Sequence, residues 1–169
     1  VDEHDHAGVD HVVRRVEAAF PFLADGCVVL SSSQLPVGSV ARLEQAFAPV
    51  AAGRRVSFAC SPENLRLGKA IAVFTQPDRV ILGVRDPRSR TQLTTLFAPI
   101  TDRLEWMGVE SAEMTKHAIN AFLATSVTFI NEIAALCEQT GADAKDVERG
   151  LKSEQRIGPG AYLGPGAAF

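Results

Sequence analysis

Residues Ser111–Gly141, SAEMTKHAINAFLATSVTFINEIAALCEQTG, form the longest periodic stretch of the chain, with no proline and no internal glycine. The pattern predicts an α-helix about 45 Å long, with Ser111 as its N-cap, Glu113 in its first turn and Gly141 as its end. One apolar stripe at helical spacing consists of Ile119, Phe122, Leu123, Val127, Ile130, Ile133, Ala134 and Cys137. A second stripe starts with Ala118, Phe129 and Leu136. Because a helix that is apolar on two sides is normally buried on two sides, we expect a further packing partner.

Three polar residues of this helix are not needed for packing. Lys116 and Asn120 are four residues apart and therefore share a face, and Asn131 lies within about 60° of Lys116 on the helical wheel. A partly buried lysine can stabilise a developing oxyanion, whereas a lysine at the helix rim only extends its ammonium into solvent. A buried Asn120 must find hydrogen-bond partners, either on the backbone or in a polar site. Asn131, beside Glu132, also fits a structural polar network.

The composition excludes several functional classes. The chain has 169 residues, of which 46% are hydrophobic and 22% charged, as in ordinary globular proteins. A net charge of −3 without a basic run argues against a nucleic-acid partner. No apolar run reaches the length of a membrane span, so we expect no membrane partner. The three cysteines lack metal-ligand spacing and favour reduced thiols in a cytoplasmic protein: Cys27, Cys60 and Cys137.

Residues 1–11 are acidic and rich in histidine, unlike a signal peptide. His4 and His6 form a His-x-His pair, which can bind a metal ion. Nothing fixes the geometry of these ligands, and a solvated acidic linker explains the same residues. We favour the linker and predict no metal site.

Short apolar runs between turn signals predict three buried strands, at 26–31, 55–60 and 79–84. Helices are predicted at 12–23, at 40–47 with Ser39 as cap, at 88–97, and at 144–151 with Asp143 as cap. A short segment, 103–107, leads into the long helix. Strands that alternate with helices favour an α/β fold with parallel pairing. We predict the C-terminal part of a Rossmann-like parallel sheet over 1–100, followed over 101–169 by an all-α central dimerisation region with one long helix.

Two polar loops follow predicted strands, SSSQLPVGS at 31–39 and SPENLRLG at 61–68. In open α/β sheets, ligands bind at the carboxyl ends of the strands. Glu63 in the second loop can act as a general base or orient a water, or it is an ordinary surface glutamate. Arg156 at the start of the terminal loop binds an anion or is simply exposed. Three strands are few for a complete sheet, and no Gly-x-Gly-x-x-Gly follows any of them.

Five segments in the same order resemble the UDP-glucose/GDP-mannose dehydrogenase family, the nucleotide-sugar dehydrogenases. The long helix resembles the central helix of the family. LPVGS resembles its Ser-Thr-Val-Pro-Val-Gly loop, SPENLRLG its Pro-Glu-Phe-Leu-Arg-Glu-Gly loop, and PDRVILG its Pro-Asp-Arg-Ile-Val-Ile-Gly strand. The terminal RIGPGAYLGPGAAF resembles the loop that leads into Gly-Gly-Ser-Cys, which carries the catalytic cysteine. Together the five segments extend over essentially the whole chain.

The resemblance implies an NAD-dependent enzyme that oxidises C6 of a nucleotide-linked hexose twice, from alcohol to aldehyde to acid, through a cysteine-bound thiohemiacetal and thioester. It implies catalytic roles for four residues: Lys116 and Asn120 at the oxyanions, Glu63 in thioester hydrolysis, and Gln34 near the reaction centre. It implies that substrate is bound by Asn64, Leu65, Arg66, Arg156, Tyr162 and Phe169, and cofactor by Ser33 and Gln34. Because Arg156 matches an arginine that reaches the substrate of the neighbouring subunit, we expect a homodimer through the helix at 111–140.

Three departures from the family pattern matter. Gln34 stands where the family usually has threonine, and Leu67 where a second glutamate is common. These changes indicate a divergent branch whose substrate need not be UDP-glucose. The 169 residues also contain neither the NAD fingerprint nor a cysteine that aligns with the nucleophile. We therefore expect a fragment that is inactive alone.

Two alternatives stay open. The first is a fragment of a hydroxyacid dehydrogenase of the 6-phosphogluconate type, a related class that also has Lys and Asn one turn apart on such a helix. The Pro-Glu-x-Leu-Arg loop argues against this alternative. The second is a non-catalytic module that dimerises through its helices.

Overall fold

The computed structural model describes residues 8–65 and 68–166. In chain order these residues form α1 (Val9–Glu17), β1 (Val28–Ser31), α2 (Ser39–Phe47), β2 (Ser57–Cys60), α3 (Ala70–Thr75), β3 (Val80–Val84), α4 (Arg88–Phe97), β4 (Leu104–Met107), α5 (Val109–Thr140) and α6 (Ala144–Ser153). Short 3₁₀ turns follow α1 and α2, at Phe20–Phe22 and Ala48–Val50. The predicted α/β fold with one long helix is confirmed. The first predicted helix is too long, because α1 ends at Glu17 and only a 3₁₀ turn follows around Pro21.

The four strands form one sheet in the order β1-β2-β3-β4. β1 pairs in parallel with β2, and β3 pairs in parallel with β4. β2 and β3 are antiparallel, so the prediction of parallel pairing throughout is wrong at this position. The segment at 103–107, predicted only as a connection, contains the fourth strand.

The antiparallel pair follows from the connection between β2 and β3. A parallel connection needs a crossover element, usually a helix that packs along the sheet. The only helix in the described part of this connection is α3, which has six residues and buries none of them. The chain therefore re-enters the sheet at the same end at which β2 leaves it, and β3 runs antiparallel to β2.

The sheet is covered on both faces. One buried cluster joins α1, α2 and the start of α5 to Phe58, Cys60 and Ile81 of the sheet. The other joins α4 to strand residues that alternate with the first set, among them Ala59 and Leu82. This alternation is the period-2 pattern expected of strands that are buried on both sides.

Gly83 in β3 sets the position of the first turns of α5. A Cβ atom at this glycine would lie 2.6 Å from Cβ of Ala112 and 2.9 Å from Cα of Val109, both of which are fully buried. The absence of a side chain therefore allows α5 to pack directly on the strand. The same two turns of α5 carry Glu113 and Lys116.

The chain divides into two compact units, Val1–Lys116 and His117–Phe169. The second unit consists of the remainder of α5, α6 and the terminal loop. Its buried apolar side chains in the described part are Val127, Ile130, Cys137 and Leu163. The predicted cap of α6 is confirmed, because the Asp143 carboxylate accepts hydrogen bonds from Lys145 N and Asp146 N.

The second unit corrects the predicted stripes of α5. Phe122 was assigned to the first stripe but is 69% exposed, together with Phe129 and Leu136 at 47% and 55%. These three residues are seven apart and lie on one side of the helix. Val127, Ile130 and Cys137 form the buried side. The helix also starts at Val109, two residues before its predicted cap.

By length and composition alone, α5 reaches the range of membrane-spanning helices, with a mean hydropathy of 1.4 over an 18-residue window. The prediction that no apolar run reaches the length of a membrane span is therefore wrong for α5. A single helix of this kind is weak evidence, because core and interface helices of water-soluble proteins have similar compositions.

Candidate functional site

Two polar loops leave the sheet at the same edge. β1 and β2 are parallel and in register, with Ser31 opposite Cys60, and Ser61 N donates to Ser31 O at 2.8 Å. The loops that follow the two strands therefore start side by side. They carry five of the predicted site residues: Ser33 and Gln34 after β1, and Glu63, Asn64 and Leu65 after β2. Glu63 is half-buried, and the other four are exposed.

Lys116 contacts the second of these loops. Its Nζ donates a hydrogen bond to Oδ1 of Asn64 at 3.1 Å, although the two residues are 52 positions apart in the chain. Lys116 is half-buried, so its ammonium is held at the loop and does not extend freely into solvent. The structure thus brings together two predicted site residues, and an ammonium in this position provides positive charge at the ligand edge of the sheet.

Glu63 stabilises its own loop. Its Oε2 accepts a hydrogen bond from Leu65 N at 2.6 Å, two residues further along the chain. A carboxylate that accepts a local backbone N–H fixes a turn in the way that aspartate side chains often do. The contact orients the glutamate beside Asn64, and its role as a base stays a prediction.

Glu113 is a buried carboxylate that the sequence did not assign to the site. Its side chain accepts Gly38 N on Oε2 at 2.7 Å and Val40 N on Oε1 at 3.0 Å, and the residue is only 3% exposed. The predicted cap of α2 is therefore wrong: Ser39 Oγ donates to Pro36 O at 2.6 Å, and Glu113 caps the helix instead. Glu113 also lies beyond the first turn of its own helix, where Glu110 is found.

One signal in the sequence pointed to this contact. Glu113 directly follows Ala112 in the part of the helix that packs on the sheet, and a carboxylate in such a position requires hydrogen-bond donors. The identity of those donors is not encoded locally, because Gly38 precedes Glu113 by 75 residues.

The three cysteines offer no nucleophile at this edge. Cys60 is 3% exposed, and burial, reinforced by the charge of Glu113, raises the pKa of its thiol to about 12. Cys137 is buried on α5, and Cys27 lies before β1, at the opposite end of that strand from the polar loop. A thiol with so high a pKa is not a thiolate near neutral pH, and Cys60 acts as a small core residue.

The second unit contains the remaining described candidates. Asn120 is half-buried on α5, and Tyr162 in the terminal loop is 48% exposed. Arg156 is exposed, and its Nε donates to Oε1 of Glu154 at 2.9 Å, a pairing that lowers the pKa of Glu154. Asn131 holds the terminal loop, since its amide donates to Gly166 O at 2.9 Å and accepts from Gly166 N at 2.8 Å. The structural interpretation of Asn131 is therefore confirmed.

Several predicted residues lie outside the part of the chain that the structure describes. Arg66, Leu67 and Phe169 fall there, and so do His4 and His6. Among residues 8–65 and 68–166, no group of three or more His, Cys, Asp or Glu side chains is arranged to hold a metal ion.

Two sequence models of one family match nearly the whole chain. The NAD binding domain of the UDP-glucose/GDP-mannose dehydrogenase family matches residues 1–101, and the central domain of that family matches residues 110–169. The UDP-glucose 6-dehydrogenase of Pseudomonas aeruginosa is 40% identical over 163 residues, which cover 92% of this chain and 36% of that protein. The UDP-glucose 6-dehydrogenase of Rhizobium meliloti is 36% identical over 167 residues, which cover 95% of this chain and 38% of that protein.

The fold is similar to that of a UDP-glucose dehydrogenase from the hyperthermophilic archaeon Pyrobaculum islandicum. The TM-score is 0.81 and the identity 31%, over 94% of this chain and 37% of that structure. The chain thus spans between 36% and 38% of the length of these relatives. The predicted Rossmann-like class and the predicted resemblance are both confirmed. The chain belongs to the UDP-glucose/GDP-mannose dehydrogenase family.

Proposed function

We propose that this chain is part of an NAD-dependent nucleotide-sugar 6-dehydrogenase, which oxidises a nucleotide-linked hexose to the uronic acid in two hydride transfers. The observation that carries the proposal is the hydrogen bond from Lys116 to Asn64, which holds an ammonium at the carboxyl edge of β1 and β2. Relatives named UDP-glucose 6-dehydrogenase make UDP-glucose the first substrate to test.

The residues after β1 fit one part of an NAD site. At the N-terminus of α2, Glu113 already accepts hydrogen bonds from two backbone N–H groups, Gly38 N and Val40 N. Exposed Ser33 and Gln34 offer neutral hydrogen-bonding groups at the carboxyl edge instead. We infer that these two side chains hold a part of the cofactor away from its phosphates. Bound NAD⁺ supplies the hydride acceptor.

The chemistry of the chain's own residues is mainly electrostatic. The Lys116 ammonium stabilises the negative charge that develops on the substrate oxygen, and Asn64 holds that ammonium in place. Glu63 orients the water that hydrolyses the thioester. Roles for Asn120 at the oxyanion and for Arg156, Tyr162, Leu65, Arg66 and Phe169 at the substrate rest on the family resemblance alone.

The catalytic nucleophile must come from residues other than the cysteines of this chain. Cys60 and Cys137 are buried, the thiol of Cys60 has a pKa raised to about 12, and Cys27 lies at the end of β1 opposite the polar loop. We infer that the 169 residues alone do not turn over substrate. The free cysteines also support a cytoplasmic location, where thiols stay reduced.

We further propose a homodimer through α5. In the second unit, Phe122, Phe129 and Leu136 form an exposed apolar stripe along this helix. A second copy of the same stripe is complementary to it, as in isologous interfaces. This assignment gives the apolar surface of α5 a protein partner, so that no membrane is required.

The test is an NAD⁺-reduction assay on the full-length protein. We expect NADH to form with UDP-glucose or another nucleotide hexose, at two NADH per sugar, because conversion of an alcohol into a carboxylate removes two hydride equivalents. The 169-residue chain serves as the inactive control. NADH formation only with 6-phosphogluconate or a simple hydroxyacid would replace the proposal by that class of dehydrogenase. A folded full-length protein that reduces no NAD⁺ with any of these substrates would support the non-catalytic module.

A further inference from the structure

Among the described residues, Glu113 is the most deeply buried charged residue, at 3% exposure. It has no assigned role in the reaction. Burial of a carboxylate is costly unless hydrogen-bond donors replace water. Both oxygens of Glu113 meet this need with backbone N–H groups, from Gly38 on one side and Val40 on the other. The position at the N-terminus of α2 adds a favourable interaction with the helix dipole.

The contact requires a carboxylate in particular. Two N–H groups point at two different oxygens, at 2.7 and 3.0 Å. A glutamine in this place offers only one acceptor, and its amide NH₂ would face one of the two donors. An aspartate keeps both acceptors but is one methylene shorter. The geometry therefore distinguishes glutamate from its closest analogues.

The contact joins the loop after β1 to α5. Gly38 has a φ of +92°, a left-handed conformation that ends the loop and starts α2. Ser39 adds a hydrogen bond back to Pro36, so the end of the loop is held from both sides. On α5, Glu113 precedes Lys116 by three residues, which is nearly one helical turn. The same helix therefore holds the loop and presents the ammonium.

We propose that Glu113 is a positioning residue that fixes the loop at 32–38 relative to Lys116 and so keeps Ser33 and Gln34 in place for the cofactor. This inference rests on the proposed function for the identity of the cofactor. Glu113 acts through the backbone of Gly38 and Val40 and does not itself contact substrate or cofactor.

The test compares two Glu→Gln variants of the full-length protein. Glu113→Gln disrupts the contact by replacing one of its two acceptors with an NH₂ group, whereas Glu110→Gln makes the same chemical change nearly one turn earlier on α5, at an exposed residue that pairs with Arg85. We expect amide hydrogen exchange at Gly38 and Val40 to accelerate tenfold or more in Glu113→Gln. We expect the KM for NAD⁺ to rise fivefold or more, with the KM for the nucleotide sugar changed less than twofold. Glu110→Gln should change none of these quantities.

A merely structural role predicts a different pattern. If Glu113→Gln lowers only the amount of active enzyme, so that kcat falls while the KM for NAD⁺ stays unchanged, the positioning role is wrong. If Glu113→Gln fails to fold, Glu113→Asp replaces it, and we expect a smaller acceleration of exchange at the same two amides together with a smaller rise in the KM for NAD⁺. Rapid exchange of these amides in the wild-type protein overturns the proposal directly.

Failure of the proposed function gives a separate result. A wild-type protein that oxidises no nucleotide sugar refutes that function, but amide exchange and direct titration with NAD⁺ still decide the role of Glu113. Weaker NAD⁺ binding in Glu113→Gln than in Glu110→Gln supports positioning. Equal binding in the two variants, or no NAD⁺ binding by the wild type, contradicts it.

Discussion

The exposed stripe on α5 allows a direct test of the proposed dimer. Phe122 is its most exposed aromatic residue at 69%, followed by Phe129 at 47%. Because Phe122 does not contribute to the buried side of the helix, its replacement by aspartate should leave the monomer folded. The same change places a charge within the proposed interface.

The magnitude follows from the exposed area. A phenylalanine side chain presents about 200 Å², so 69% exposure corresponds to about 140 Å² at Phe122. Complete burial of this area on both protomers removes about 280 Å² from water, which sets an upper bound of about 7 kcal/mol at 25 cal/mol per Å². Loss of that contribution weakens association by at most about 10⁵-fold. The charge added by aspartate weakens it further, since a buried unpaired carboxylate is unfavourable.

Sedimentation equilibrium of the full-length protein measures this effect. We expect a wild-type dimer at tens of micromolar and a monomeric Phe122→Asp variant under the same conditions. Phe22→Asp is the matched control, because Phe22 is 86% exposed on a 3₁₀ turn in the first unit and should leave the dimer intact. A monomeric wild type, or a Phe122→Asp variant that associates as tightly as the wild type, would refute the reasoning. Partitioning of the wild type into lipid vesicles would instead identify α5 as a membrane segment.

Three further predictions concern single residues. In the full-length enzyme, Lys116→Ala should lower kcat by about 10²–10³-fold, the typical loss for one oxyanion-stabilising group, with little change in NAD⁺ affinity; steady-state kinetics check this, and a near wild-type kcat would remove Lys116 from the mechanism. Gly83→Ala should lower the free energy of unfolding by about 3 kcal/mol in urea titrations, because the new Cβ would lie 2.6 Å from Cβ of Ala112. Gly150→Ala is the control, because Gly150 lies in open space within α6 and its replacement should not destabilise the protein. Equal effects of the two changes would contradict the close packing of α5 on β3. Cys60 should resist alkylation in the folded protein at pH 8 and react after unfolding, as peptide mass spectrometry will show, because burial raises its pKa from 9.0 to about 12. Rapid labelling of the folded protein at pH 8 would contradict this burial. Because the pKa of the thiol is raised on folding, its contribution to the free energy of unfolding is fully present below pH 9 and is lost as the pH rises toward 12.

Elements with strong local signals could be predicted from the sequence. α4 has the predicted bounds, and α6 begins after the predicted cap Asp143, because helix capping depends on residues within one turn. The buried strands were recognised by short apolar runs between turn residues, with ends displaced by one or two residues. Local chemistry decides each of these features.

Features that depend on distant residues could not be predicted in the same way. The cap of α2 comes from Glu113 on another helix, 73 residues after Val40, and not from the adjacent Ser39. The direction of β3 depends on whether the preceding connection crosses the sheet, which the apolar run itself does not reveal. Glu63 and Lys116 were chosen as site candidates from position and residue type, but the contact between Lys116 and Asn64 emerges only from the fold.

The polar residues of α5 show why a sequence pattern predicts the helix more readily than it predicts the role of each polar side chain on it. Glu113 was expected to favour the dipole of its own helix, yet its carboxylate caps α2, where two backbone donors compensate for its burial. Asn131 was on nearly the same face as Lys116 by angle, yet it binds the backbone of Gly166. A charge or an amide in an apolar helix signals only that donors or acceptors must be nearby. Which element supplies them decides whether the residue holds a loop, caps a helix or faces a substrate, and for Glu113 the supplier is the loop expected to bind the cofactor.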